Sequence, residues 1–107
     1  MDKIIDVTSK TEFDSIVKNS NLPVLVDCWA TWCAPCRMQA PILNSLVEEF
    51  GENVNVIKVN VDENEDIANE LQIRSIPTLI LYVNGEIKEK LIGLTNKNEL
   101  INLIKKY

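Results

Sequence analysis

This chain predicts an α/β fold: one mixed five-stranded sheet with helices on both faces, in the order βαβαβαββα. Three observations carry the prediction. Strand-like and helix-like stretches alternate along most of the sequence, which makes the early strands parallel and lays helices against the sheet. Residues 24–30 (Val-Leu-Val-Asp-Cys-Trp-Ala) form a nearly continuous apolar run, the pattern of a central strand covered on both sides. Asn84-Gly85 lies between two strand-like runs and is a strong short hairpin signal, adding an antiparallel edge.

The elements follow in order. Residues 4–7 read as a short first strand. Ser9-Lys10-Thr11-Glu12 is a capping box, and Phe13, Ile16 and Val17 share one face of the helix it opens. Asn19-Ser20-Asn21 and Pro23 end that helix, and the central strand begins at Val24. A long helix is predicted from about Cys33 to Phe50, with Gly51 as its C-terminal cap and Ile42, Leu43, Leu46, Val47 and Phe50 as its buried stripe. Pro41 falls inside it and should kink it, because proline has no N–H and crowds the preceding turn. Residues 54–61 make a third strand. Asp62-Glu63-Asn64-Glu65 caps a short helix bearing Ile67, Ala68 and Leu71. Residues 78–83 and 86–92 are the two arms of the hairpin. Asn96, with Glu99 three residues on, caps a last helix carrying Leu100, Ile101, Leu103 and Ile104.

At 107 residues the chain is expected to be a single domain, residues 1–107, large enough to bury one core without disulfide staples. The net charge of −5 disfavours nucleic acid, which requires a basic patch. No apolar run reaches the roughly 20 residues of a membrane helix. Met1-Asp2-Lys3-Ile4-Ile5-Asp6 lacks the basic-then-apolar layout of a secretory leader, so a reducing cytoplasm is the expected compartment. The chain has 0 histidines, which removes Cys–His and Ser–His nucleophile pairs and histidine metal ligands. Its 3 cysteines cannot complete a four-cysteine metal site alone. Thiol chemistry assisted by a carboxylate or a lysine remains.

Trp32-Cys33-Ala34-Pro35-Cys36 supplies it. Two cysteines separated by two residues, at the start of a helix, can close a small disulfide and open it again. The unpaired N–H groups and positive dipole end of that helix favour the thiolate, the species that attacks disulfides. Cys33, first of the pair and expected to be partly exposed, is the candidate nucleophile. Cys36, one turn deeper, is the candidate resolving thiol. The competing readings are half of a metal site shared between chains, or two inert core cysteines. Pro35 rigidifies the turn where a missing N–H costs little, and Ala34 stiffens it further. Cys28, in the central strand, reads as a small buried hydrophobe. Asp27 is a lone acid in an apolar strand, where burial would raise its pKa; a solvent-facing strand edge is the alternative.

The chain resembles the thioredoxin family over nearly its whole length. The likeness is carried by Asp27, by Trp29-Ala30-Thr31-Trp32-Cys33-Ala34-Pro35-Cys36-Arg37-Met38, and by Ala40-Pro41. Lys58, Asp62, Ile76-Pro77-Thr78, Asn84-Gly85 and Gly93 extend it. The resemblance implies the thioredoxin fold, reduction of protein disulfides, and electrons resupplied by a flavin-dependent thioredoxin reductase, with no cofactor bound to the chain itself. It implies that Asp27 relays a proton to or from Cys36 and that the Lys58 ammonium approaches Asp27; a surface lysine is the other reading of Lys58. It implies a cis Pro77 against the disulfide, beside which the Ile76 backbone pairs with an extended substrate segment. Trp32, Pro35, Val61, Ile76, Ile92, Gly93 and Leu94 would then form an apolar substrate rim around Cys33; core packing is the alternative for Val61, Ile92 and Leu94. Trp29 reads as a support beneath the loop.

Two positions depart from the family pattern: Ala34 stands where glycine is usual, and Cys28 where phenylalanine is common. The partners expected are thioredoxin reductase and oxidised proteins, met by a monomer. A disulfide oxidase or isomerase on the same fold is the first alternative, disfavoured because those relatives commonly place histidine between the cysteines and are exported. A non-enzymatic binding module is the second, disfavoured because both cysteines and Asp27 are present.

Overall fold

The computed structural model describes residues 4–107; Met1, Asp2 and Lys3, read above as part of a leaderless N-terminus, lie outside the described residues. The elements are β1 (Ile4–Asp6), α1 (Lys10–Asn19), β2 (Val24–Trp29), α2 (Ala34–Phe50), β3 (Asn55–Asn60), α3 (Glu65–Glu70), β4 (Thr78–Val83), β5 (Glu86–Ile92) and α4 (Lys97–Ile104). This is the βαβαβαββα order, in a five-stranded sheet arranged β1-β3-β2-β4-β5.

β1 and β2 both run parallel to β3. β4, however, is antiparallel to β2 as well as to β5, so the antiparallel half of the sheet begins one strand earlier than the hairpin alone suggests. Alternation along β2 divides the core between the sheet's two faces. Val24, Val26 and Cys28 pack with Phe13 and Val17 of α1 and Ile67 of α3. Leu25 packs with Leu43, Leu46 and Val47 of α2 and Leu100, Ile101 and Ile104 of α4. Asp27, in phase with Leu25, therefore belongs to the α2 face, and Cys28 to the opposite one.

The caps show why the helices start where they do. The Ser9 hydroxyl accepts from the Glu12 N–H, and the Glu12 carboxylate accepts from the Thr8 N–H at 2.9 Å. The Asn96 side chain likewise accepts from the Glu99 N–H at 2.8 Å. α3 departs from this pattern: Asn64 occupies the N-cap without a side-chain cap bond. Its amide is buried and donates to the Val7 and Asn60 carbonyls, so it ties the strand ends together instead. Gly51 caps α2 with right-handed φ −66° and not in the left-handed conformation typical of a glycine cap. What requires glycine there is space, since an added Cβ would collide with the Val47 carbonyl. Asn84 and Gly85 have φ of 54° and 79°, the paired positive values of a type I′ hairpin turn.

Candidate active site

β2 ends at Trp29, and the chain turns through Ala30–Thr31–Trp32 before Cys33 becomes the N-cap of α2. Cys33 and Cys36 are joined by a disulfide, with Cα atoms 5.2 Å apart. The Cys36 N–H donates to the Cys33 Sγ at 3.2 Å. A helix-start donor aimed at this sulfur stabilises negative charge on it, and a charged acceptor gains more from that bond than a neutral one. The Ile76 carbonyl oxygen lies 3.7 Å from the same Sγ. In the disulfide no proton joins them; the reduced thiol can donate there.

Cys33 is less open than its place in the sequence suggests: it is 4% exposed, as is Cys36. The sulfur is folded over the helix start, with the Ile76 carbonyl oxygen beside it. Ala34 and Pro35, the first two helical residues, are both exposed.

Asp27 is 0% exposed and neither carboxylate oxygen finds a hydrogen-bond partner among the described residues. Burial pushes its pKa from 3.8 up to about 6, and the positive charge of Lys58 opposes the rise. The two residues are register partners in the parallel β2–β3 pair, on the α2 face of the sheet. The Lys58 ammonium sits 4.7 Å from the centre of the Trp29 ring, in a cation–π contact. Among the described residues no ion pair joins Lys58 to Asp27, so the lysine acts on the carboxyl through space. Trp29 itself is half-buried beneath the ammonium, its indole N–H buried without a partner among the described residues.

The Ile76–Pro77 peptide bond is cis, and Pro77 is buried. The Pro77 carbonyl accepts from the Gly93 N–H at 2.9 Å, which brings the end of β5 beside it. Gly93 has φ +96°, a conformation suited to glycine. On either side of it Ile92 is 69% and Leu94 46% exposed, so neither is core packing. Val61 is mixed: half-buried against the core, it also lines a groove of about 340 Å³ with Trp32, Ile73, Arg74, Ser75 and Ile76. Trp32 is 68% exposed and anchored by its indole N–H, which donates to Asp62 at 2.9 Å. Asp62 thus holds the active-site loop, where the sequence reading made it part of a helix cap.

Ile73, Arg74 and Ser75 belong to no motif in the sequence. Their only signal there is position, immediately before Ile76-Pro77. Arg37 is accounted for by a bond to the Thr31 carbonyl at 3.0 Å. Cys28 is 0% exposed, on the face away from α2, with its pKa raised to about 12 chiefly by burial and next by the charge of Asp27. It behaves as a buried hydrophobe and cannot reach the pair without the strand unravelling.

The sequence profile of the Thioredoxin family matches residues 4–106. A thioredoxin of Rickettsia bellii is 48% identical over 99 residues, spanning 92% of this chain and 93% of that protein. The solved structure of a mutant thioredoxin from Halobacterium salinarum superposes with a TM-score of 0.90 at 35% identity, covering 98% of this chain and 90% of that one. A Plasmodium falciparum thioredoxin gives 0.86 at 39% identity, covering 96% of this chain and 98% of that one. A disulfide at a helix start, on this sheet and with these relatives, makes the chain a member of the thioredoxin family: a thiol–disulfide oxidoreductase that carries electrons on its own cysteine pair, without a bound cofactor.

Proposed function

We propose that residues 1–107 act as one domain, a general protein-disulfide reductase of the cytoplasm, working as a monomer and recycled by thioredoxin reductase. The observation that carries the reading is the Cys33–Cys36 disulfide at the start of α2, with the Cys36 N–H directed at the Cys33 sulfur. In the reduced protein the Cys33 thiolate attacks a target disulfide. A mixed disulfide forms and one target thiolate leaves. Cys36 then gives its proton to Asp27 and attacks the Cys33 sulfur. The ring disulfide closes, the second target thiol is released, and two electrons have passed to the target.

Asp27 suits that relay because its raised pKa lets it exchange a proton near neutrality. Lys58 keeps the carboxyl from rising further. Ala34 and Pro35 set the stiffness of the loop between the sulfurs, and hence the balance of oxidised and reduced forms. Pro77 and the Ile76 backbone receive an extended substrate strand, whose side chains meet Trp32, Val61, Ile92, Gly93 and Leu94. Main-chain pairing on an apolar rim admits many proteins without demanding one sequence. Among the described residues no helix is long and apolar enough to cross a membrane.

Insulin reduction, followed as turbidity with dithiothreitol as electron source, tests the proposal. The wild-type chain should accelerate it, Cys33→Ser should abolish the acceleration, and Cys36→Ser should accumulate mixed disulfides. No acceleration by the wild type would return the chain to the binding-module reading. A potential near the roughly −120 mV of a strong oxidant would favour an oxidase instead.

A further inference from the structure

Gln39 is a polar side chain in an apolar row. The buried positions of α2 are Cys36, Gln39, Leu43, Leu46 and Val47, and Gln39 is 0% exposed. A buried amide is costly unless its donor and acceptor are both satisfied. Gln39 satisfies them on one residue. Its Nε2 donates to the Thr95 carbonyl at 2.9 Å, and the Thr95 N–H donates to its Oε1 at 2.9 Å. Thr95 belongs to no strand or helix. It lies between Ile92, the end of β5, and Asn96, the N-cap of α4.

The same short loop is tied twice more. The Gly93 N–H donates to the Pro77 carbonyl, and the Thr95 hydroxyl donates to the Gly93 carbonyl at 3.3 Å. The exposed apolar side chains of Ile92 and Leu94 therefore stand on a backbone gripped from inside by the cis-proline segment and by the helix that carries both cysteines. An apolar residue at position 39 would fill the space but would not fix the distance or direction of Thr95.

We infer that Gln39 is a positioning residue for substrate docking: its two-bond clamp on Thr95 holds the 92–94 rim at a set place relative to Cys33. The inference rests on the proposal that this rim is where protein substrates dock. Both side-chain hydrogen bonds of Gln39 go to Thr95 and neither to a sulfur. A rim ordered in advance loses less freedom on binding, so the clamp acts on affinity for a protein substrate rather than on the sulfur exchange.

Gln39→Met keeps the length and apolar contacts of the side chain and removes both bonds. KM for insulin is expected to rise roughly five-fold while kcat shifts by less than about two-fold. Amide hydrogen exchange should quicken at Gly93 and Thr95 and stay slow at Leu46. An unchanged KM, or a loss confined to kcat, overturns the inference. Ile92→Asp, measured beside it, isolates the premise. If that variant leaves KM unchanged, the docking rim itself is wrong; if it raises KM and Gln39→Met does not, only the role of Gln39 falls. Should Gln39→Met not fold, Gln39→Glu retains an acceptor for the Thr95 N–H and is expected to give a KM between wild type and Ile92→Asp. A wild-type KM in that variant overturns the inference equally.

Discussion

Asp27 carries an energetic penalty that its fold would lose by replacing it. Its pKa stands at about 6 in the folded protein against an ordinary 3.8, so between these values the folded state binds more protons than the unfolded one. Stability therefore falls as pH rises from about 4 to about 6, and above that range the cost is complete, about 3 kcal/mol. Asp27→Asn, uncharged and of the same shape, is expected to stabilise the protein by about that amount at pH 8, the gain vanishing below about pH 4. Urea denaturation at the two pH values checks it. The same variant should slow release of the mixed disulfide at neutral pH and flatten the fall in rate of the wild type below about pH 6. Ala34 is subtler. It is exposed at the first position of α2, where Ala34→Gly costs helix propensity in both redox forms. The potential is expected to move by no more than about 30 mV, the equivalent of about 1.4 kcal/mol, on equilibration with glutathione.

At the scale of elements, two glycines end segments for different reasons. Gly85 has φ +79° and open space around it, so an added side chain meets only backbone strain. Gly51 has ordinary φ but faces the Val47 carbonyl. Gly85→Ala is expected to cost about 1–2 kcal/mol, with Gly85→Asn milder because asparagine tolerates the left-handed region. At position 51 asparagine should be no better than alanine, which thermal melts of the four variants would show. The contrast marks the limit of what could be read beforehand. Asn84-Gly85 located β4 and β5 to the residue, because only a few dipeptides accept two positive φ values in succession. Gly51 located the end of α2, but sequence does not distinguish a glycine chosen for conformation from one chosen for room. The direction of β4 relative to β2 was hidden as well: the segment from Leu71 to Pro77 carries no periodicity that tells which way the next strand enters the sheet. At the site, Cys33, Cys36 and Asp27 announce themselves by residue type in an unusual setting. Ile73 and Ser75 are ordinary residues made relevant by the turn into Pro77. Gln39 was visible in principle, as a polar residue in phase with Cys36 and Leu43 on the buried stripe.

The whole molecule keeps its redox chemistry at one end of a core that does not depend on it. Both apolar layers, one under α1 and α3 and the other under α2 and α4, are assembled without the Cys33–Cys36 bond. That bond spans a sequence separation of only 3, so it removes little freedom from the unfolded chain. Chain-entropy arguments give the oxidised form an advantage of about 2 kcal/mol. Reduction is therefore expected to lower the melting temperature while leaving far-ultraviolet circular dichroism unchanged, and a carrier that cycles between the two states stays folded in both. The sheet's outer margins have a consequence of their own. Among the described residues β1 spans 3 residues and carries Asp6, and the other border strand, β5, interleaves Glu86, Lys88, Glu89 and Lys90 with its apolar residues. Among the described residues neither margin offers a long, uncharged row of main-chain groups, the template on which strands of neighbouring molecules stack into fibres. A chain proposed to pair its backbone with protein substrates beside Pro77 is thus expected to resist pairing edge to edge with its own copies.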